Sequence, residues 1–173
     1  YIYKKDFDIK EIIREDINGV EVSLRGIYKD YDYLYLPLAG DYQKKNLLLS
    51  VVLSEIYLKL RLKELETEKI NDALKDTDIS GRFQVVAKDP VFIIDASHNP
   101  EGVKNFVKNI KNLFPEKRKI IVFSVLKDKN YKKMLLDIIQ VADILIISSS
   151  LNARSLSVSE MQKNALHIMD SLK

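Results

Sequence analysis

Apolar positions recur every second residue in the first part of the chain, cluster densely in the next, and then alternate between strand-like and helix-like spacing. Val20-Glu21-Val22-Ser23-Leu24 alternates as a strand with one covered face does. Asn18-Gly19 stands just before it and predicts a hairpin turn, because both residues tolerate positive φ. Residues 31–38 alternate again, and seven of the nine tyrosines fall within the first 42 residues. Tyrosine suits a sheet that covers the ring and leaves the hydroxyl wet. From Asp41, read as an N-cap, the run Leu47, Leu48, Leu49, Val51, Val52, Leu53, Ile56 and Leu60 predicts a deeply buried helix. A shorter helix follows over residues 67–75, and Ser80-Gly81 breaks the pattern.

Beyond Gly81, strands are predicted at 83–87 and 91–94, joined by a turn at Asp89-Pro90. Helix 100–113, strand 119–124, helix 129–140, strand 144–148 and helix 157–172 complete the order. Asn99 is placed to cap the first of these helices, with Pro100 at the first helical position, where its missing N–H is no loss. Such alternation implies an α/β fold with a mostly parallel sheet and right-handed crossovers. The consecutive apolar residues Val91-Phe92-Ile93-Ile94 suit a strand buried on both faces. Two modules are therefore expected: a β-rich and helical one over 1–79 and a Rossmann-like α/β domain over 80–173.

Composition narrows the classes of function. The 173 residues are 46% hydrophobic and 31% charged, enough for a core and a soluble surface. A net charge of +3 arises from 28 basic and 25 acidic residues in a mixed distribution, without the basic stripe that nucleic acid requires. The absence of cysteine excludes disulfides, thiolate metal sites and a cysteine nucleophile. The two histidines, His98 and His167, are too far apart in sequence to suggest a histidine-rich metal site. No apolar run approaches the ~20 residues of a membrane span, and no signal peptide opens the chain, so a cytoplasmic protein without membrane attachment is expected. The chain begins at Tyr1, directly in strand-like sequence, and is expected to be a piece of something longer.

Candidate chemistry gathers at a few loops. In open α/β sheets, ligands bind outside the carboxyl ends of strands. Asp95 closes a predicted strand, and Ala96-Ser97-His98-Asn99-Pro100 leads into the next helix. A carboxylate there can accept from two neighbouring hydroxyls, as on a ribose, and His98 stands beside a helix N-terminus that favours anions. Asp95 and Asn99 suit plain caps equally well, and His98 an ordinary surface position. Arg82 offers a fork for phosphate or carboxylate, although a lone arginine is more often a solvated surface residue. Gln43 and Asn46 stand three apart on one helix face, and the carboxamide of Asn46 could meet the edge of a base or cap the helix start. The glycines at 19, 26, 40, 81 and 102 form neither G-x-x-x-x-G-K-[ST] nor G-x-G-x-x-G, so nothing in the chain cradles a triphosphate.

Taken in order, these segments resemble the folylpolyglutamate synthase and dihydrofolate synthase family of the Mur ligase superfamily. Leu38-Ala39-Gly40-Asp41-Tyr42-Gln43-Lys44-Lys45-Asn46 resembles the segment that closes the family's central ATPase domain. Gly81-Arg82-Phe83 resembles the opening of its C-terminal domain. Ile94-Asp95-Ala96-Ser97-His98-Asn99-Pro100 matches its most specific signature, and Leu126-Lys127-Asp128-Lys129-Asn130 resembles a D-K-D turn with Asn130 in place of the last acid. The resemblance implies an ATP-dependent ligase that adds L-glutamate to folate or dihydropteroate through an acyl phosphate. It places Asn46 at the adenine with Gln43 in support, Arg82 at the phosphates, Asp95 at the ribose and His98 near the reacting carboxylate or incoming glutamate. Magnesium and its ligands, with the phosphate-binding loop, are implied for an N-terminal ATPase part that this chain lacks. The family's last strands are also expected beyond Lys173. Two alternatives stay open: a Mur peptidoglycan amino-acid ligase, and a non-catalytic α/β interaction module of receiver type.

Overall fold

The early alternation builds an antiparallel meander of three strands, β1 (Asp8–Asp16), β2 (Gly19–Arg25) and β3 (Asp30–Leu36). The computed structural model describes residues 1–172 and separates them into two units, divided between Asp95 and Ala96. In the first unit β2 is the central strand, and Val20, Val22 and Leu24 are fully buried as their alternation demands. The first hairpin turns one residue earlier than expected: Ile17 and Asn18 connect the strands, and the Asn18 amide donates to Asp16 Oδ1 at 2.7 Å. Gly19 opens β2 at φ 146°, where a Cβ would lie 2.3 Å from the Leu36 carbonyl oxygen. Close approach and backbone conformation both select glycine there.

Helix α1 (Asp41–Lys59) packs on this sheet through Leu47, Leu48, Val51 and Val52. The expected deep burial holds for that face alone, since Leu49, Leu53 and Leu60 are 47%, 65% and 81% exposed. A continuous apolar run names a helix but not how many of its sides are covered. Gly40, not Asp41, is the N-cap, and Asp41 lies in the first turn, where the helix dipole favours a carboxylate. The shorter α2 (Thr67–Leu74) lies against β3 and sends Ile70 into the same core.

Two buried ionic groups pin these elements. Glu55, on the covered face of α1, accepts from the backbone amides of Ile27 (2.7 Å) and Tyr28 (3.3 Å) and from the Tyr31 hydroxyl (3.0 Å). The Tyr31 hydroxyl is pushed well above the usual tyrosine range, first by burial and then by Glu55. Lys44 is equally buried and pairs with Glu15 of β1 and Asp41 of α1. Burial opposes its charge, but the two carboxylates more than offset this and hold its pKa above the ordinary lysine value.

The first unit ends in an antiparallel hairpin, β4 (Gln84–Lys88) and β5 (Val91–Ile94), with Gln84 opposite Ile94 and a cis Asp89-Pro90 bond at the turn. Here the sequence reading is corrected. β5 is neither parallel nor buried on both faces: it pairs with β4 among the described residues, and Val91, Phe92 and Ile94 are exposed. A two-residue connection can only return the chain antiparallel, whatever the apolar run suggests.

The second unit follows the predicted order: α3 (Pro100–Leu113), β6 (Ile120–Phe123), α4 (Tyr131–Ile139), β7 (Ile144–Ile147) and α5 (Val158–Ser171). β6 and β7 pair in parallel with Ile120 opposite Ile144, and they are the one parallel pair among the named strands of the described residues. Phe123, Met134, Leu135, Ile138, Leu156 and Met161 form its core. Ile120, Val122 and Ile146 face outward from the same strands and are exposed. Among the described residues no helix is long and apolar enough to cross a membrane.

Candidate functional site

Antiparallel pairing of β4 and β5 brings the start of one strand to the end of the other. Arg82 therefore enters the hairpin where Asp95 leaves it. Between them, Phe83 donates its backbone amide to Asp95 Oδ2 at 2.9 Å, fixing the half-buried carboxylate at the open end. The turn before β4 is tightly specified. Gly81 lies at φ 69°, its amide donates to Gln84 Oε1 at 3.0 Å, and the Arg82 amide reaches the Ile79 carbonyl at 3.3 Å. Phe83 itself is fully buried at φ 49°, a left-handed conformation that a bulky residue holds only where its surroundings enforce it. The buried ring is the anchor that keeps Arg82 exposed at the rim and the Phe83 amide aimed at Asp95.

The first turn of α1 faces this end of the hairpin. The hydroxyl of Tyr42 is raised above the usual tyrosine range by burial, then by the nearby Asp95 carboxylate, with Arg82 acting in the opposite direction. Arg82, Asp95 and Tyr42 thus share one electrostatic neighbourhood. One helical turn on, Asn46 lies on the same face of α1 as Tyr42. Its Nδ2 donates to Gln43 Oε1 at 3.0 Å, and Gln43 is 1% exposed while Asn46 reaches solvent. A guanidinium, a carboxylate, a phenol and an oriented amide are four different recognition groups. Together they can meet a phosphate, a sugar diol and the polar edge of a base.

His98 belongs to the second unit. It is exposed, and its Nδ1 lies 3.3 Å from the Ala96 carbonyl oxygen. The loop around it is built as expected at its helix end: Asn99 caps α3 by accepting from Gly102 N at 2.7 Å, with Pro100 at the first position. Gly102 is pressed so close to this loop that a Cβ would lie 2.9 Å from Ser97 Oγ. The turn at Lys127-Asp128-Lys129 is tied elsewhere. Asp128 Oδ2 accepts from Arg154 Nη2 at 2.9 Å, which holds its carboxyl below the usual range, and the Lys127 amide donates to the Arg154 carbonyl at 2.8 Å. Among the described residues no group of three or more His, Cys, Asp or Glu side chains could hold a metal ion.

Sequence reasoning singled out Arg82, Asp95, His98, Gln43 and Asn46 and gave Tyr42 no role of its own. The signal was an aromatic residue at the first turn of a helix that carries two carboxamides. Phe83 was read as the first residue of a strand and as part of the Gly81-Arg82-Phe83 segment, and its constrained backbone is invisible in the sequence.

Residues 81–171 match the family described as Mur ligase, glutamate ligase domain. The dihydrofolate synthase/folylpolyglutamate synthase of Bacillus subtilis (strain 168) is 31% identical over 117 residues, 68% of this chain and 27% of that protein. The UDP-N-acetylmuramoyl-L-alanyl-D-glutamate–2,6-diaminopimelate ligase of Aquifex aeolicus (strain VF5) is 31% identical over 113 residues, 64% of this chain and 22% of its own. In fold, the chain is similar to Mycobacterium tuberculosis folylpolyglutamate synthase complexed with ADP. The TM-score is 0.86 at 24% identity, covering 95% of this chain and 36% of that one. The chain thus spans about a quarter to a third of the length of the relatives it matches.

Proposed function

Because the chain belongs to the Mur ligase family through its glutamate ligase domain, we propose that it is the C-terminal portion of an ATP-dependent ligase that adds L-glutamate to folate or dihydropteroate. The observation that carries this reading is the open end of the β4–β5 hairpin. There Phe83 N–H pins Asp95 beside Arg82, opposite the helix turn that bears Tyr42, Gln43 and Asn46. In this reading Asn46 meets the adenine, Asp95 accepts from the ribose hydroxyls, and Arg82 offsets charge on the phosphates. The γ-phosphoryl group passes to a carboxylate oxygen of the folate or pteroate, breaking its bond to the β-phosphate oxygen and releasing ADP. The glutamate amine then attacks the acyl carbon, an amide bond forms, and inorganic phosphate leaves as the amine loses a proton. His98 lies near that reacting carboxylate or the incoming glutamate. The phosphate-binding loop and magnesium ligands belong to an N-terminal part outside this chain, and the enzyme works in the cytoplasm. The evolutionary boundary between the central and C-terminal domains falls between residues 79 and 80, which the start of the family match at residue 81 supports.

The identity to the Aquifex aeolicus ligase favours a second reading, ligation to a muramoyl peptide. The Asp95-to-Pro100 signature of folate-type ligases weighs against it. Measuring ADP release by the complete ligase separates the two. Release should require glutamate together with folate or dihydropteroate. Release that responds only to a muramoyl-peptide acceptor would transfer the chain to the second reading.

A further inference from the structure

Helix α1 has a second apolar face, turned away from the sheet that Leu48, Val51 and Val52 cover. Leu49, Leu53 and Tyr57 stand four residues apart, so they form one row along the helix, and all three are exposed. The row ends in a held ring, with the Arg61 guanidinium 4.7 Å from the Tyr57 centroid. Beside it runs a second exposed row, Asn46, Ser50 and Ser54, whose small hydroxyl side chains let a facing element approach the leucines closely. Just past the helix, Leu62 is 97% exposed at φ 56°. It is fixed there by bonds from its own amide to the Lys59 carbonyl at 3.1 Å and from the Lys63 amide to the Leu58 carbonyl at 3.0 Å. A bulky aliphatic side chain that meets only water, on a left-handed backbone, gains neither burial nor an easy conformation. Single exposed leucines are ordinary, but a contiguous apolar row with a polar rim marks a surface that another element covers.

Three observations say what covers it. The row begins beside Asn46, so its occupant also borders the proposed nucleotide site, which is where the phosphate cradle missing from this chain has to come close. The family match starts only at residue 81, and the chain spans 27% of the Bacillus subtilis relative and 36% of the Mycobacterium tuberculosis one, so most of their length lies outside it. Neither row carries a charge between Leu49 and Tyr57, so the complement is an apolar surface. Resting on the reading of this chain as the C-terminal portion of a ligase, we infer that the outer face of α1 is the docking surface for the N-terminal ATPase part. That part lays an apolar helix or sheet face over Leu49, Leu53 and Tyr57, with Leu62 as the anchor at the end of the row.

The test compares the 173-residue chain with the complete ligase. Leu53→Glu should leave the melting profile of the chain unchanged, since the new carboxylate stays in water. In the complete ligase the same change buries an unpaired charge and should lower the melting temperature by about 5 °C or more. An unchanged melting temperature in the complete ligase would overturn the inference. Hydroxyl-radical labelling of the two wild-type proteins decides the matter even if a variant does not fold. Leu53, Tyr57 and Leu62 should be labelled several-fold more slowly in the complete ligase than in the chain, and equal rates would overturn the inference. A second copy of this chain is the competing occupant. Doubling of the chain's own mass in solution, abolished by Leu53→Glu, would transfer the surface to that copy. Failure of the complete protein to release ADP with glutamate and a folate would remove the ligase reading, and it would leave the melting and labelling results standing.

Discussion

A carboxylate inside a leucine-rich helix face needs partners, and Glu55 has three. With Ile27 N–H, Tyr28 N–H and Tyr31 O–H all directed at it, the carboxylate joins α1 to the turn between β2 and β3. Glu55→Ala leaves these donors without an acceptor. Each buried unsatisfied group costs about 1–3 kcal/mol, so the variant should lose about 3 kcal/mol or more of unfolding free energy. Glu55→Gln keeps an acceptor oxygen and should lose less. Chemical denaturation measures both, and a loss for the alanine variant below about 1 kcal/mol would mean the network adds little. The position was legible in principle, since residue 55 falls on the stripe of Leu48, Val51 and Val52 and an acid there must be satisfied. What it binds was not legible, because its partners lie 24 to 28 residues away. The same distinction holds at the site. Arg82 and Asp95 stood out by motif and by place in a strand, whereas the involvement of Tyr42 needed the three-dimensional approach of α1 to the hairpin.

Among the elements, α1 covers the first unit's core with one face only, and its two faces should respond differently. Leu48→Ala opens a cavity in a packed core and should cost about 2–5 kcal/mol. Leu53→Ala, at a position 65% exposed, should stay within about 1 kcal/mol. Equal effects at the two positions would contradict the observed packing. The Lys44 ion pairs predict a pH dependence as well. Folding raises the Lys44 pKa. Its contribution is therefore complete below the unfolded value of about 10.4 and is lost as pH rises through the higher folded value. Unfolding free energy measured from about pH 8 to 12 should fall more steeply for the wild type than for Lys44→Met. Parallel curves would show that the bridges do not stabilise the fold. Element identities were largely written in the sequence: the cap at Asn99 and the proline after it set helix α3 at residues 100–113 as read. The burial of β5 was misread, because four apolar residues look alike in a buried parallel strand and an exposed antiparallel one. The turn at Asp89-Pro90 was the better guide to its direction.

For the molecule as a whole, the chain holds groups suited to a base, a sugar and a phosphate but no glycine-rich loop to cradle a triphosphate. The 173-residue chain by itself should fold yet release no ADP in the presence of glutamate and folate, and measurable release would contradict this division of labour. The central claim is that the hairpin end of Arg82 and Asp95 handles the nucleotide, and the kinetics of two variants of the complete ligase test it most directly. Arg82→Ala should lower glutamate-dependent turnover about 100-fold or more, since under the proposed reading it removes a charge donor to the transferring phosphoryl group. Asp95→Ala should chiefly raise the KM for ATP, because a ribose hydrogen bond is made alike in ground and transition states. Wild-type kinetics in both variants would place the nucleotide elsewhere.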